Sequence, residues 1–337
     1  MGDCQRHGRA GNGLNMIRSI CLVFPHLSTF VETDRQILSE AFDVTAVEYR
    51  GKRDLARLAV AIRRSDLSFS WFALGHAAAS VMFSRCFAKQ SVIVTGGWDV
   101  VAMPDVPYGA MLSPKQRGRT VRTLNRATLV LAVSEANRKE ALQWTARDVL
   151  VVPLGVDTDF FSPVTGPREG VITVASITHG ATVRKKGLDV LLETARLLSD
   201  IPFVIAGPIS PEWSTRLRSM APPNVRITGW LQPEQLRREY RNAKVYAQLS
   251  AHESFGLALA EAMSCGCVPV VSDRGSLPEV VGPTGTVAPY GDVAATARAT
   301  RQALDSGDGV SARERILQNY SLTLRRRRLL RLLEDVG

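Results

Sequence analysis

Residues 245–271 read VYAQLSAHESFGLALAEAMSCGCVPVV. Val245 to Leu249 and Val268 to Val271 are short apolar runs of strand length, and the segment between them, His252 to Met263, follows the first strand and opens a helix. Strand, helix and strand in one stretch form the repeating unit of a parallel sheet with right-handed crossovers. The same alternation extends in both directions. Upstream, Val171 to Ser176, Phe203 to Ala206 and Val225 to Thr228 read as strands, and Leu188, Leu191, Leu192, Ala195 and Leu198 mark one face of a helix.

An earlier series precedes this one. Ile17 to Phe24, Val44 to Tyr49, Leu67 to Ala73, Ser91 to Thr95, Leu129 to Val133 and Val149 to Val152 read as strands. Between them, Leu55, Leu58, Ala59 and Ile62 fall at the spacing of a single buried helix face. The turn-rich stretch from Asp157 to Gly170 separates the two series. A chain of 337 residues is longer than one core usually supports. The expected organisation is therefore α/β, with two doubly wound Rossmann-like domains facing a cleft: a tail at 1–15, one domain at 16–157, a second at 158–320 and a closing helix at 321–337. Ligands of open α/β sheets bind beyond the carboxyl ends of the strands, so the cleft is the expected site.

Composition narrows the function. Apolar residues make up 45% and charged residues 22%, as in globular proteins that bury a core. Cys4, Cys21, Cys86, Cys265 and Cys267 are odd in number and have no paired spacing, which points to reduced thiols in a cytoplasmic setting rather than to a disulfide framework or a zinc site. No apolar run is long enough to span a bilayer. The net charge is +10, and residues 1–150 are the more basic part, with 20 Lys and Arg against 13 Asp and Glu. That surplus suits anionic partners, but no stacking or recognition motif accompanies it and nucleic acid is not expected. Neither half follows its first strand with G-x-G-x-x-G, which disfavours a dinucleotide oxidoreductase.

Chemistry concentrates in the quoted stretch. Gly256 stands where a ligand could approach the backbone, and the N–H groups of the following helix start, with its positive dipole end, suit a diphosphate. Glu253 and Glu261 are eight residues apart, which at helical rise and rotation puts them ~12 Å apart within about a quarter turn, able to grip hydroxyls at two ends of an extended ligand. On spacing alone, a dipole-favoured Glu and a solvated Glu explain the pair more readily than a ligand grip does.

The run Ala262-Met263-Ser264-Cys265-Gly266-Cys267-Val268-Pro269, with Ser276-Leu277-Pro278-Glu279 after it, resembles the donor-binding signature of glycosyltransferase family four, retaining enzymes of the GT-B fold. Gly155-Val156-Asp157-Thr158-Asp159-Phe160-Phe161 is similar to the interdomain turn of that family, and Lys186-Gly187-Leu188-Asp189 to its phosphate-lysine helix. The resemblance implies a nucleoside-diphosphate sugar as substrate and no cofactor. Glu253 would bind hydroxyls of the donor sugar. Ser254, Phe255, Gly256 and Leu257 would face the diphosphate, Glu261 the ribose, and Lys186 the phosphates. An arginine that relatives carry after the preceding strand is missing at Val174-Ala175-Ser176-Ile177. Arg184 is the substitute in the following loop, or else an exposed arginine in a basic loop. Gly207 sits where relatives approach the base or phosphate, and a plain turn explains it as well.

In the first half, Thr95-Gly96-Gly97-Trp98-Asp99 keeps the acid of a Thr-x-His-Gly-x-Asp stretch but has Gly96 at the histidine place. Asp99 is thereby a catalytic candidate, with His26 and His76 as weak replacements for the histidine. Asp157-Thr158-Asp159 imitates a metal motif of another fold but lies at the interdomain turn, and no bound metal is expected. The resemblance implies front-face transfer of a hexose from UDP or GDP to a glycan, lipid-linked or small-molecule acceptor, and a last helix crossing back onto the first domain. Arg325 to Arg328 on that helix read as a solvated face or, more sharply, as a peripheral contact with an anionic membrane at its cytoplasmic side. Two other readings stand beside transfer: a noncatalytic nucleotide-sugar binder, and a glycan phosphorylase or synthase of the same fold.

Overall fold

The computed structural model describes residues 16–336; the tail at 1–15, with Cys4, and Gly337 lie outside the described residues. Two six-stranded sheets organise the chain, and every strand pairing within them is parallel. The first holds β1 (Ser19–Phe24), β2 (Asp43–Glu48), β3 (Leu67–Trp71), β4 (Gln90–Thr95), β5 (Leu129–Ala132) and β6 (Val149–Val151). The second holds β7 (Val171–Val174), β8 (Phe203–Ala206), β9 (Val225–Gly229), β10 (Val245–Gln248), β11 (Val268–Ser272) and β12 (Thr286–Ala288). Their orders are β2-β1-β3-β4-β5-β6 and β12-β11-β10-β7-β8-β9.

Helices cover both faces of each sheet, so the inner strands are apolar on both sides, as a parallel sheet requires. All five residues of β3, all four of β10 and all five of β11 are buried, whereas the edge strand β2 alternates with exposed positions. The order of winding reverses between β1 and β3 in the first sheet and between β7 and β10 in the second. At these two points the loops leaving the carboxyl ends diverge and leave a crevice.

The chain passes between the halves twice, side by side. Val156 donates its N–H to the Tyr320 carbonyl and accepts from the Leu322 N–H, both at 2.8 Å. Helix Leu322–Val336 then returns to the first sheet, with Leu329 and Leu333 buried. Arg325 does not belong to a solvated face: its side chain is 2% exposed and forks onto Asp34, Nε to Oδ1 and Nη2 to Oδ2 at 2.7 Å each. It also donates to the Val152 and Pro153 carbonyls, and Asp34 accepts from the Trp71 indole. The bidentate geometry satisfies both charges, which burial would otherwise make costly. Arg326 pairs with Glu40, and Arg327 and Arg328 are exposed. Among the described residues no helix is long and apolar enough to cross a membrane.

Removing one partner of a buried pair costs about 3–5 kcal/mol, whereas exposed positions change stability by about 0.5 kcal/mol or less. Arg325→Ala is therefore expected to lower the urea midpoint strongly and Arg327→Ala to leave it nearly unchanged, read by circular dichroism.

Candidate active site

The loop leaving β10 and the helix Leu257–Ser264 form the floor of the crevice. Gly256 joins them with φ +87°, a left-handed conformation that only glycine adopts readily. Among the described residues no side chain caps this helix start, so its first-turn N–H groups remain available as donors. Glu253 therefore lies in the loop and not on the helix, and the helical reckoning of its spacing from Glu261 does not apply.

Glu253 is drawn toward cations. Its Oε1 accepts from Lys186 Nζ at 2.6 Å and from Ser250 Oγ at 2.9 Å. Burial alone would raise its pKa, but the charges of Lys186 and Lys185 overcome this and hold the carboxyl at about 2. Lys186 ends the short helix Gly180–Lys185 that follows β7, and Glu253 comes from the loop after β10, so the pair spans the point where the winding of the second sheet reverses.

Lys185, which the sequence reading passed over in favour of Arg184, is the second cation here. Its Nζ lies 3.7 Å from the centre of the Tyr108 ring, a cation–π contact from one half to the other. Burial lowers its pKa from 10.5 to about 8, partly offset by Glu253. Arg184 is exposed; its carbonyl accepts from Tyr290 Oη at 3.1 Å, and no hydrogen bond or ion pair among the described residues joins its side chain to Glu253. The signal in the sequence was the doublet Lys185-Lys186 ahead of Gly187.

The remaining candidates take distinct places. Glu261 lies one turn beyond Leu257 on the helix, and burial raises its pKa from 4.5 to about 8, moderated by a 3.3 Å hydrogen bond from Tyr240 Oη. The Phe255 side chain is buried against Tyr320, which leaves its backbone to the crevice. Ser254 accepts at its carbonyl from Ser134 Oγ at 2.6 Å, across the cleft. Gly207 closes β8, its N–H bonded to the Gly229 carbonyl. Asp99 is fully buried and binds the N–H groups of Ala73 and Gly96 at 2.7 and 3.0 Å, tying the loop after β3 to the loop after β4. Burial lifts it to about 6, checked by those donors. It lies behind Gly96 and is not among the residues that line the cavity.

Gly96 also has a physical reason. A Cβ there would come 2.1 Å from the Phe72 ring, so Phe72 fills the volume where the resemblance places a histidine. His76 is buried, hydrogen-bonded to the Trp71 carbonyl and lowered to about 4 by burial. His26 stacks on Phe72 at 6.3 Å. Asp157 spends Oδ1 on the N–H groups of Asp159 and Phe160, a turn-forming role, and no group of three or more His, Cys, Asp or Glu among the described residues is arranged to hold a metal.

Between the halves lies a cavity of about 210 Å³, lined by Gly96, Tyr108, His252, Glu253 and Gly256 among others. That is less than the roughly 300–1,000 Å³ of drug-sized ligand pockets, so it has room for one moiety of a larger ligand. Two cations, a carboxylate and an uncapped helix start adjoin it. The arrangement can hold an anion at the helix start and hydroxyls at Glu253.

The raised pKa of Glu261 links stability to pH. A folded-state value near 8 against an ordinary 4.5 means that the contribution is complete below about 4.5 and is lost as pH rises through 8. Glu261→Gln is expected to remove that component: the stability difference between wild type and variant should decline from pH 5 to pH 8 in urea titrations.

Comparison with known proteins gives a family match and a shared fold. The family described as "Glycosyl transferases group 1" matches residues 169–306. The O-antigen chain mannosyltransferase B of Escherichia coli is 29% identical over 215 residues, covering 57% of this chain and 56% of that protein. The MMP alpha-(1->4)-mannosyltransferase of Mycolicibacterium hassiacum is 32% identical over 191 residues, covering 54% and 44%. The chain thus spans about half the length of these relatives. Among solved structures, sucrose-phosphate synthase from Thermosynechococcus elongatus superposes with a TM-score of 0.76 at 17% identity, covering 95% of this chain and 99% of that one. The Anabaena HepE protein in complex with UDP and glucose gives 0.76 at 16%, covering 94% and 100%. Residues 169–306 thus match the group 1 glycosyl transferases, and the chain has the GT-B architecture of two Rossmann-like halves, as the resemblance in the sequence implied.

Proposed function

We propose that this protein transfers a hexose from a UDP- or GDP-linked donor to an acceptor hydroxyl, with retention of configuration and without a metal ion. The observation that carries the reading is the Lys186–Glu253 pair at 2.6 Å beside the uncapped helix start at Gly256. A diphosphate placed against Leu257 and its neighbours would meet backbone donors on one side and Lys186 and Lys185 on the other. Such preorganised charge stabilises a leaving group without reorganisation at the moment of reaction. Glu253, ionised throughout the neutral range, accepts from hydroxyls of the sugar, and Glu261 addresses the ribose.

In the step itself the bond from C1 to the phosphate oxygen breaks while the acceptor oxygen bonds to C1 from the same face. The acceptor proton passes to the departing phosphate oxygen, whose charge Lys186 and the helix start offset. The mannosyltransferase relatives favour mannose as the first sugar to test. A glycan or lipid-linked acceptor, approached through the basic first half and a peripheral anionic membrane contact, fits the charge distribution.

Thermal-shift measurements with UDP, GDP and their sugars test the donor, because a ligand of the folded state raises the midpoint. Stabilisation by at least one nucleotide sugar is expected, and none by any would sink the reading. With that donor, Lys186→Ala should lower kcat/KM by about 10²–10³ while transfer survives thorough chelation. Loss of activity on chelation would overturn metal independence, and an inverted anomeric proton signal by NMR would overturn retention. Binding without transfer or hydrolysis across an acceptor panel would favour a noncatalytic binder, and release of sugar 1-phosphate from a glucan a phosphorylase.

A further inference from the structure

His252 has no part in the steps above, yet it is built into the crevice from both halves. It comes from the loop after β10 and is 5% exposed. Its Nε2 lies 2.7 Å from Oε1 of Glu140, on the helix Glu135–Leu142 of the first half. Glu140 is itself held, since Oε2 accepts from Asn137 Nδ2 at 3.3 Å. A carboxylate at Nε2 fixes the proton there, so the neutral ring presents Nδ1 as an acceptor. That Nδ1 is buried and has no hydrogen-bond partner among the described residues. Buried polar atoms in native proteins are nearly always paired, and an exception points to a missing partner.

The surroundings indicate which partner. The ring lines the same cavity as Glu253 and Tyr108, and Tyr108 packs against it with centroids 5.6 Å apart. On another side, a Cβ on Gly97 would come 3.4 Å from His252 Cε1 and 1.6 Å from Ser254 Oγ, so this glycine, at φ +104°, leaves room for the two halves to close around the ring. The lysines already supply the positive charge for phosphate. An acceptor nitrogen and an acceptor carboxylate on two residues that line one cavity call instead for a ligand that donates two hydrogen bonds, as neighbouring hydroxyls do.

We infer that His252, oriented by Glu140 across the cleft, is a specificity-determining residue whose Nδ1 accepts a hydrogen bond from a hydroxyl of the transferred sugar. The inference rests on the nucleotide-sugar reading above and assigns one contact within it. Glu140 is a positioning residue.

Calorimetric titration of UDP-glucose and GDP-mannose against UDP and GDP tests it, with the quantity of interest being the preference for the sugar nucleotide over its nucleoside diphosphate. His252→Gln keeps a donor toward Glu140 but places nothing at Nδ1; His252→Asn places an acceptor near Nδ1 and gives up Glu140. The preference should fall about 10-fold in His252→Gln, the scale of one hydrogen bond, with affinity for the bare diphosphate unchanged, and His252→Asn should recover part of it. Glu140→Gln should show a smaller fall. An unchanged preference in His252→Gln and Glu140→Gln overturns this assignment alone, as does an equal loss for both ligand types, which is the result of a merely structural tie. Failure of the wild type to bind any nucleotide sugar overturns the proposed function together with it.

Discussion

A lysine ammonium 2.6 Å from a mostly buried carboxylate joins the turn that ends helix Gly180–Lys185 to the loop after β10, and the crevice depends on that contact. Both charges are taken from water, so each needs the other, and the two loops are held at the point where the second sheet reverses its winding. The pair ties the two segments together across the floor of the crevice. It also sets the electrostatics of the crevice, because Lys185 adds a second cation next to a single carboxylate and leaves an excess of positive charge where the helix start already favours an anion.

Three carboxyl groups around this region show how position decides behaviour. Glu253 is held at about 2 by two lysines, Asp99 is lifted to about 6 with only backbone donors to restrain it, and Glu261 reaches about 8 with one tyrosine hydroxyl for company. All are shielded from water, and the difference lies in whether a compensating charge is near. At neutral pH the first remains an acceptor for hydroxyls while the last holds a proton and can donate one hydrogen bond.

Much of the fold could be read from the sequence because buried parallel strands are apolar on both faces and stand out as short runs. β12 escaped because Thr286–Ala288 is three residues long and partly exposed at an edge. The stretch around Gly256 was legible as a motif, yet its geometry was not: a left-handed residue at 256 lifts Glu253 off the helix, and no periodicity reveals that. Four consecutive arginines read alike, and only the fold brings Asp34 to Arg325 from 291 positions away. Lys185 stood beside the lysine that the resemblance marked, but its partner Tyr108 belongs to the other half. His252 and Glu140, 112 positions apart, were invisible for the same reason.

The paired crossing at Val156 and Ser321 has a mechanical consequence. Two peptide segments bonded edge to edge bend together more easily than they shear, so the tie favours a swing of the halves over a slide. The Ser134–Ser254 and Glu140–His252 contacts lie across the gap and must part whenever that swing widens it.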